Sequence, residues 1–266
     1  MDDWRSYDGV ADAYERANGT RLGAVARDLL ALAAPLPERA RILDVGTGTG
    51  VTASEAAASG AGLVIGIDRS LRMLQVGRAH HDGFHPVAAE AIDIPFRDHS
   101  FDLVTATFVL NHFTRYETVL FDIIRVLRSG GRLALATWAA GVDDLQRTWR
   151  ELIESVVQEE LLDDITRQAI PWEDRFADRA RLEEALLAAG LEHIRTEPSQ
   201  YRLTMTLDGY LDGREASATG RFARSMLGDS GWADFRTRAR AVYSERFSDP
   251  LNDFRDVILA VATKPT

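Results

Sequence analysis

The sequence predicts a doubly wound α/β sandwich, on three observations. Between residues 41 and 138, short apolar runs of strand length alternate with segments of helical length. The runs are apolar throughout rather than alternating with polar residues, as strands covered on both faces are. A glycine-rich turn, Gly46-Thr47-Gly48-Thr49-Gly50, directly follows the first run and opens a helix. Right-handed crossovers turn such a series into an open parallel sheet with helices on both sides, and ligands bind beyond the carboxyl ends of its strands.

The elements follow in order. Residues 7–34 read as an opening helix, with Val10, Ala13, Leu22, Val25, Leu29 and Leu32 at helical spacing and Pro35 and Pro37 behind it. Strands are expected at 41–45, 62–67, 84–89, 101–107 and 131–137, and helices at 52–59, 70–79 and 115–127. Residues 142–168 are helical and highly charged, 179–189 form a helix stopped by Gly190, 193–205 a strand, 208–247 a helical stretch and 256–263 a closing strand. The last two strands would end the sheet as a hairpin-like pair. We expect a single domain over 1–266. Residues 1–138 form its ligand-binding core, 139–176 and 208–247 a helical lid over the carboxyl ends of the strands, and 177–207 and 248–266 the rest of the sheet.

Composition bounds the chemistry. Of 266 residues 45% are hydrophobic and 27% charged, ordinary values for a chain with a substantial core. The net charge of -10 makes duplex nucleic acid a poor partner. No cysteine is present, so disulfides, thiolate metal sites and cysteine nucleophiles are excluded. The start, Met1-Asp2-Asp3-Trp4, lacks the basic and apolar regions of a signal peptide, and no apolar run has the length of a membrane span. The cytoplasm is the expected compartment. Histidines and acids are not clustered at zinc-ligand spacing, so no metal is expected.

The glycine-rich turn brings backbone close to a ligand, and the following helix offers its free N–H groups. It departs from the dinucleotide fingerprint, because Val51 stands where the third glycine belongs. Asp44 also brings a carboxylate that would repel a pyrophosphate and welcome an ammonium. Both departures favour an amino-acid-bearing nucleoside over a dinucleotide. Asp68, at the end of the second strand, can accept from both ribose hydroxyls; capping of helix 70–79 by Asp68 or Ser70 is the alternative. Met73, one turn on, packs on adenine or in the core. Glu90 could accept from the adenine amino group while the Ala91 N–H donates to the ring, with Asp93 an equal candidate for the acid. Thr47, Arg69 and Ile92 flank these positions and are counted with them.

In the stretches ILDVGTGTG (42–50), VIGIDRSLRML (64–74), EAIDIPFRDHSFDLV (90–104), FVLNHF (108–113) and VLRSGGRLALATW (126–138), the chain resembles the class I S-adenosylmethionine-dependent methyltransferases. It is most similar to their small-molecule group, which includes ubiquinone- and menaquinone-biosynthesis enzymes. YDGVADAYE (7–15) resembles the opening helix of that group, and the C-terminal half matches only in outline. The resemblance implies a Rossmann-like seven-stranded, mostly parallel sheet with an antiparallel last strand. It implies S-adenosyl-L-methionine as cofactor: Gly46, Gly48 and Gly50 along the methionine portion, Asp44 near its ammonium, Asp68 on the ribose, Glu90 and Ala91 framing adenine. Thr107 would offer its carbonyl to the ammonium, and Tyr7 and Tyr14 would lie over the cofactor. Ser129 stands where the group commonly has proline, and Glu90 where it commonly has aspartate.

The implied reaction is in-line displacement at the cofactor's methyl group by an O, N or C nucleophile of a small molecule, in secondary metabolism or quinone-type biosynthesis. Without cysteine, thiolate-assisted cytosine methylation is excluded, and no Asn/Asp-Pro-Pro-Tyr/Phe stretch of amino-directed DNA methyltransferases occurs. His112, just past the fourth strand, is the candidate general base, with a packed or hydrogen-bonded loop histidine as the alternative. Some of Trp138, Trp149, Trp172, Phe176, Tyr201, Tyr210, Phe222 and Trp232 are expected to line an apolar acceptor pocket and most to be core. A non-catalytic protein that binds the nucleoside, and a nicotinamide-dependent oxidoreductase on the same sheet, are the competing readings. A homodimer is left open.

Overall fold

Successive strand residues point to opposite faces of a sheet, so an unbroken apolar strand needs cover on both. The computed structural model describes residues 6–266, and the leader reading at Met1-Asp2-Asp3-Trp4 lies outside the described residues. Seven strands form one sheet: β1 (Arg41–Val45), β2 (Leu63–Asp68), β3 (His85–Ala88), β4 (Phe101–Thr107), β5 (Leu127–Trp138), β6 (Glu192–Met205) and β7 (Leu251–Thr263). Their order is β3-β2-β1-β4-β5-β7-β6. The first five pair in parallel, and β7 runs antiparallel to both β5 and β6, as expected of the last strand. The order reverses between β1 and β4, which opens a crevice at their carboxyl ends.

The helices are α1 (Ala11–Leu32), α2 (Val51–Ala58), α3 (Leu71–His80), α4 (Tyr116–Val126), α5 (Asp144–Glu154), α6 (Glu159–Ala169), α7 (Glu173–Phe176), α8 (Arg179–Ala188), α9 (Leu207–Glu215) and α10 (Ala218–Arg246). On one face Leu29 of α1 and Ala53 of α2 share a core with Ile42, Leu103, Ala134 and Val257. On the other, Ile123 of α4 and Leu186 of α8 pack with Leu43, Val104, Leu135 and Ile258. Each pair of consecutive strand residues is thus split between the two cores, which is why those strands carry no polar alternation.

A third core joins α5, α6, α9 and α10 through Trp149, Leu162, Tyr210, Trp232 and Tyr243. These helices are attached to an extension of the sheet. Trp138, the last residue of β5, pairs with Val257, while β6 and β7 continue pairing from Ser199 to Met205 and from Val257 back to Leu251. This two-stranded arm projects past the carboxyl edge of β5. Buried Arg21 of α1 is ion-paired with Asp253 of the arm, and the Tyr201 hydroxyl donates to Asp28 of α1 at 2.8 Å.

Three elements differ from expectation. The closing strand begins at Leu251 rather than 256, because the arm is half exposed and its polar residues hide it. The charged stretch 142–168, read as one helical segment, is two helices, α5 and α6, with a break over residues 155–158. The helical stretch 208–247 is interrupted at Gly228, whose φ of 67° and ψ of 177° are not helical. No helix among the described residues is long and apolar enough to cross a membrane.

Candidate active site

The site begins where β1 ends. Gly46 has φ +64°, and a side chain there would meet Val109 at 2.3 Å, so glycine lets the exit of β4 come against the turn. Gly48, at φ +56°, has open space where a Cβ would stand, and its N–H donates to Asp68 Oδ2 at 2.8 Å. The Thr47 N–H donates to the Ile67 carbonyl at 2.9 Å, locking the turn to β2. Gly50 makes room on the other side, where a Cβ would lie 2.2 Å from the Phe84 ring. Glu15 of α1 accepts from the Thr49 hydroxyl and meets His81 Nε2 at 2.8 Å, which seats α1 over the turn.

Asp44 lies behind the turn, fully buried, and accepts from the hydroxyls of Thr47 and Thr105, each at 2.6 Å. Burial pushes its carboxyl up to about 6, and the two hydroxyls pull in the opposite direction. Folding therefore takes up a proton between pH 3.8 and about 6. Stability falls as pH rises through that window, by up to about 3 kcal/mol. Asp44→Asn removes this loss, since the threonine hydroxyls can turn to accept from an amide. The stability of the variant relative to the parent is expected to grow as pH rises through the window, measured by thermal unfolding at a series of pH values. A difference that stays constant with pH would show that Asp44 does not titrate this way.

Asp68 ends β2 with its carboxylate gripped on both oxygens, Oδ2 by the Gly48 N–H and Oδ1 by the Ser70 N–H at 2.8 Å. Ser70 itself caps α3, its hydroxyl accepting from the Met73 N–H at 3.1 Å. Burial raises the Asp68 carboxyl above its ordinary value, against the opposing pull of the two amides. Met73 is buried against Ala11 and Val76 and also reaches the cavity wall. The following loop carries Glu90, Ala91 and Ile92. It is tethered from below, because Asp122 accepts from the Ile94 N–H and Arg125 donates to the Ile94 and Phe96 carbonyls at 2.8 and 2.7 Å.

The opposite wall comes from the β4 exit and two distant helices. His112 ends a 3-10 turn, Leu110–His112, and its Nδ1 lies 3.1 Å from the carbonyl of Ala169 at the end of α6. That carbonyl can only accept, so Nδ1 carries the proton and Nε2 the lone pair. Burial pushes the imidazole down to about 4, with the hydrogen bond to Ala169 opposing. It is neutral at pH 7, and the stability that depends on its neutrality is lost as pH falls from 6.5 toward about 4. Histidine-selective NMR, assigned with His112→Gln, is expected to find one imidazole that stays uncharged until near pH 4. A midpoint near the ordinary value of 6.5 would refute this burial. Edge-on contacts join Tyr7 to His112 with ring centres 6.1 Å apart and to Tyr14 at 5.8 Å. The Arg221 guanidinium, from α10, lies over the Tyr7 ring at 4.1 Å.

These groups enclose a cavity of about 370 Å³, within the roughly 300–1,000 Å³ of small-ligand sites. Of the residues singled out from sequence, Tyr7, Tyr14, Gly46, Gly48, Asp68, Arg69, Met73, Glu90, Ala91, Thr107 and His112 all line it. Asp44, Thr47, Gly50 and Ile92 do not: the first three support the turn from behind, and Ile92 points to solvent. Sequence reading missed Phe108, Val109, Gln168, Ala169 and Arg221 as wall residues. The first two follow the strand-end rule that found Thr107 and His112. The other three lie in the two segments expected as a lid, but which of their residues face the cavity depends on how α6 and α10 pack.

The eight aromatics expected to include pocket residues supply none of the wall among the described residues. Trp149, Tyr210 and Trp232 are taken up by the helical core and Phe222 packs against it, while Trp172 and Phe176 pack on Tyr116. Trp138 stacks on Phe108 at 3.9 Å, and Tyr201 is engaged with Asp28. Apolar area there is used for packing because those helices have no other core.

S-adenosylmethionine fits this donor set. The open space before Gly48 adjoins the Asp68 carboxylate, and Glu90 stands farther along the same wall. Comparison with known proteins agrees. The sequence profile of a family described as methyltransferase domain matches residues 43–135. A demethylmenaquinone methyltransferase from Clavibacter sepedonicus is 34% identical over 203 residues, 71% of this chain and 81% of that protein. Another, from Corynebacterium kroppenstedtii, is 35% identical over 144 residues, 52% of this chain and 60% of that one, so this chain spans less than two thirds of it. Phosphoethanolamine N-methyltransferase 2 of Haemonchus contortus, solved with phosphomonomethylethanolamine and S-adenosylhomocysteine, shares the fold. Its TM-score is 0.61 at 19% identity, over 100% of this chain and 61% of that one. The chain belongs to the class I S-adenosylmethionine-dependent methyltransferases, and S-adenosylmethionine is its cofactor.

Proposed function

We propose that this methyltransferase acts on a small aromatic acceptor of the quinone or phenol type, seated between the cofactor and the wall formed by Tyr7, His112 and Arg221. The observation that carries the reading is one continuous cavity. A gripped acidic side chain, Asp68, borders it near the glycine turn, and a neutral imidazole in contact with an aromatic ring borders it beyond β4. The names of the two demethylmenaquinone methyltransferases support a ring acceptor. Helices α6 and α10, which contribute Ala169 and Arg221, form the roof on this reading.

When bound, S-adenosylmethionine supplies a methyl group already activated as a sulfonium. The residues of the chain bind, orient and exclude water. Asp68 accepts from the ribose hydroxyls with the lone pairs that Gly48 and Ser70 leave over. Glu90 and the Ala91 N–H hold the adenine edge, and the Thr107 carbonyl accepts from the ammonium. Tyr7 and Tyr14 cover the cofactor, and burial raises the Tyr14 hydroxyl far above its ordinary value, so it stays protonated and can donate. His112 Nε2 accepts a hydrogen bond from an acceptor hydroxyl and fixes its direction. Holding the nucleophile in line is the main contribution left to the protein, worth several kcal/mol, roughly 7–11 in well-aligned cases.

The test is calorimetric titration of the full chain with S-adenosylmethionine, S-adenosylhomocysteine and NAD⁺, followed by methyl transfer from labelled cofactor to a panel of naphthols, hydroquinones, amines and sugars. Binding of the first two ligands and not the third, with turnover on the ring hydroxyls or ring carbons, is expected. Turnover confined to amines or sugars would sink the acceptor reading. Binding without turnover on any member would make the chain a non-catalytic binder.

A further inference from the structure

Behind the cavity wall, charged side chains from four elements converge where the arm of β6 and β7 leaves the sheet. Arg21 of α1, 6% exposed, is ion-paired with Asp253 of β7, 2% exposed. Arg255, also of β7, places its Nε 3.3 Å from Oδ1 of the same carboxylate, off the line of a hydrogen bond. One buried carboxylate thus serves two guanidinium groups, and Arg21 Nε is buried with no hydrogen-bond partner among the described residues. Arg214 of α9 lies over the Tyr210 ring at 5.6 Å, and no carboxylate stands within 4 Å of it among the described residues. Burial draws Arg255 below the ordinary arginine range; the neighbouring Arg214 and Arg21 draw it further, and Asp253 opposes. Glu173 of α7 feels both Arg255 and Arg214 and ion-pairs with neither. Burial, then Asp174, raises its carboxyl above the ordinary value, against the pull of the two arginines.

Three cations therefore meet one paired carboxylate and a second whose ionised form burial disfavours. Arg214, Arg255 and Glu173 are each half-buried, so a solute can reach them. The cluster is a layer away from the cofactor cavity. Arg255 lies over the Trp138 ring at 5.9 Å, and Trp138 stacks on Phe108, which lines that cavity. Guanidinium groups gathered away from water repel one another, and their planar N–H pairs match the oxygens of a carboxylate or a phosphate.

We propose that Arg214 and Arg255 bind a small oxyanion, a carboxylate or a phosphate, at a second site between α9, α7 and the arm. The site is independent of which acceptor is methylated. Its occupant bridges α9 to β7 through charge-assisted hydrogen bonds and offsets the repulsion between the two arginines. The Arg21–Asp253 pair holds Arg255 in place. Glu173 bounds the site on the α7 side, and in its protonated form it donates to the ligand instead of repelling it.

The experiment uses the full chain saturated with S-adenosylhomocysteine, so that the cofactor cavity is filled. Sodium phosphate, sodium acetate and sodium chloride are titrated by calorimetry at matched ionic strength. One-site binding of phosphate or acetate, and not of chloride, is expected, and the tighter of the two tells a phosphate-bearing ligand from a carboxylate-bearing one. Arg214→Met should weaken that binding by about 10-fold or more, as loss of a charge-assisted hydrogen-bond pair implies, and Arg214→Lys by less. If Arg214→Met does not fold, the parent titration and the Arg214→Lys comparison decide. Binding of neither anion by the parent overturns the site, as does a smaller loss in Arg214→Met or none in Arg214→Lys.

Discussion

Arg125→Met is expected to lower the unfolding free energy by about 2–3 kcal/mol, below the roughly 3–5 kcal/mol of a fully buried charge pair, because Asp122 is buried but Arg125 itself is half-buried. Arg125 makes four hydrogen bonds: Nε to Asp122 at 2.6 Å, Nη1 to the Phe96 carbonyl at 2.7 Å and to the exposed Asp98 at 2.9 Å, and Nη2 to the Ile94 carbonyl at 2.8 Å. Both of those carbonyls belong to the loop that begins at Glu90. Methionine fills the stem volume and makes none of these bonds. Asp122 would then be left buried, with the Ile94 N–H as its one remaining partner of these. Arg125→Lys keeps the charge without the planar fork, so it should fall between the two. Urea unfolding followed by circular dichroism measures the loss. A change below about 1 kcal/mol, the scale of exposed ion pairs, would mean that the loop is held by something else.

The second large effect is on binding and spares the fold. Asp68→Ala is expected to weaken S-adenosylhomocysteine binding by about 100-fold or more, since two hydrogen bonds to a charged group are lost together. The same change should cost the ligand-free protein little. Burial raises the Asp68 carboxyl, which offsets the pull of its two amide partners, and one of those amides, that of Gly48, is at the cavity wall, where water can replace the carboxylate. Calorimetry and thermal unfolding on the same preparations separate these outcomes. A loss of melting temperature matching the loss of affinity would make Asp68 a structural residue instead.

The mostly parallel sheet and much of the cavity wall beside the glycine turn were legible in the sequence for a physical reason. Strands covered on both faces must be apolar without alternation, and a turn that brings backbone against Val109 must use glycine at Gly46. Those constraints act within a few residues, so they are written locally. The placement of His112 on the cavity wall was also legible, because the residues just past the carboxyl end of β4 lie beside the crevice. Arg221 was not. It sits on a 29-residue helix with glycines at 220, 228 and 231, and nothing local fixes which side of α10 faces the sheet. That is decided by the core of Trp149, Tyr210 and Tyr243, far away in sequence. The same long-range packing removed the aromatic residues from the acceptor wall. Asp44 reads as a ligand group from sequence, yet the two threonine hydroxyls that enclose it come from the turn and a neighbouring strand.

The extension of β6 and β7 beyond β5 separates two inheritances within one chain. The groups we propose for the nucleoside hang from β1, β2 and the loop after β3, whereas α9 and α10 are carried on a stalk at the far edge. On the proposed acceptor placement, substitutions on α10 away from Arg221, whose guanidinium lies over Tyr7, would recontour the acceptor wall and leave β1, β2 and the loop after β3 their own contacts.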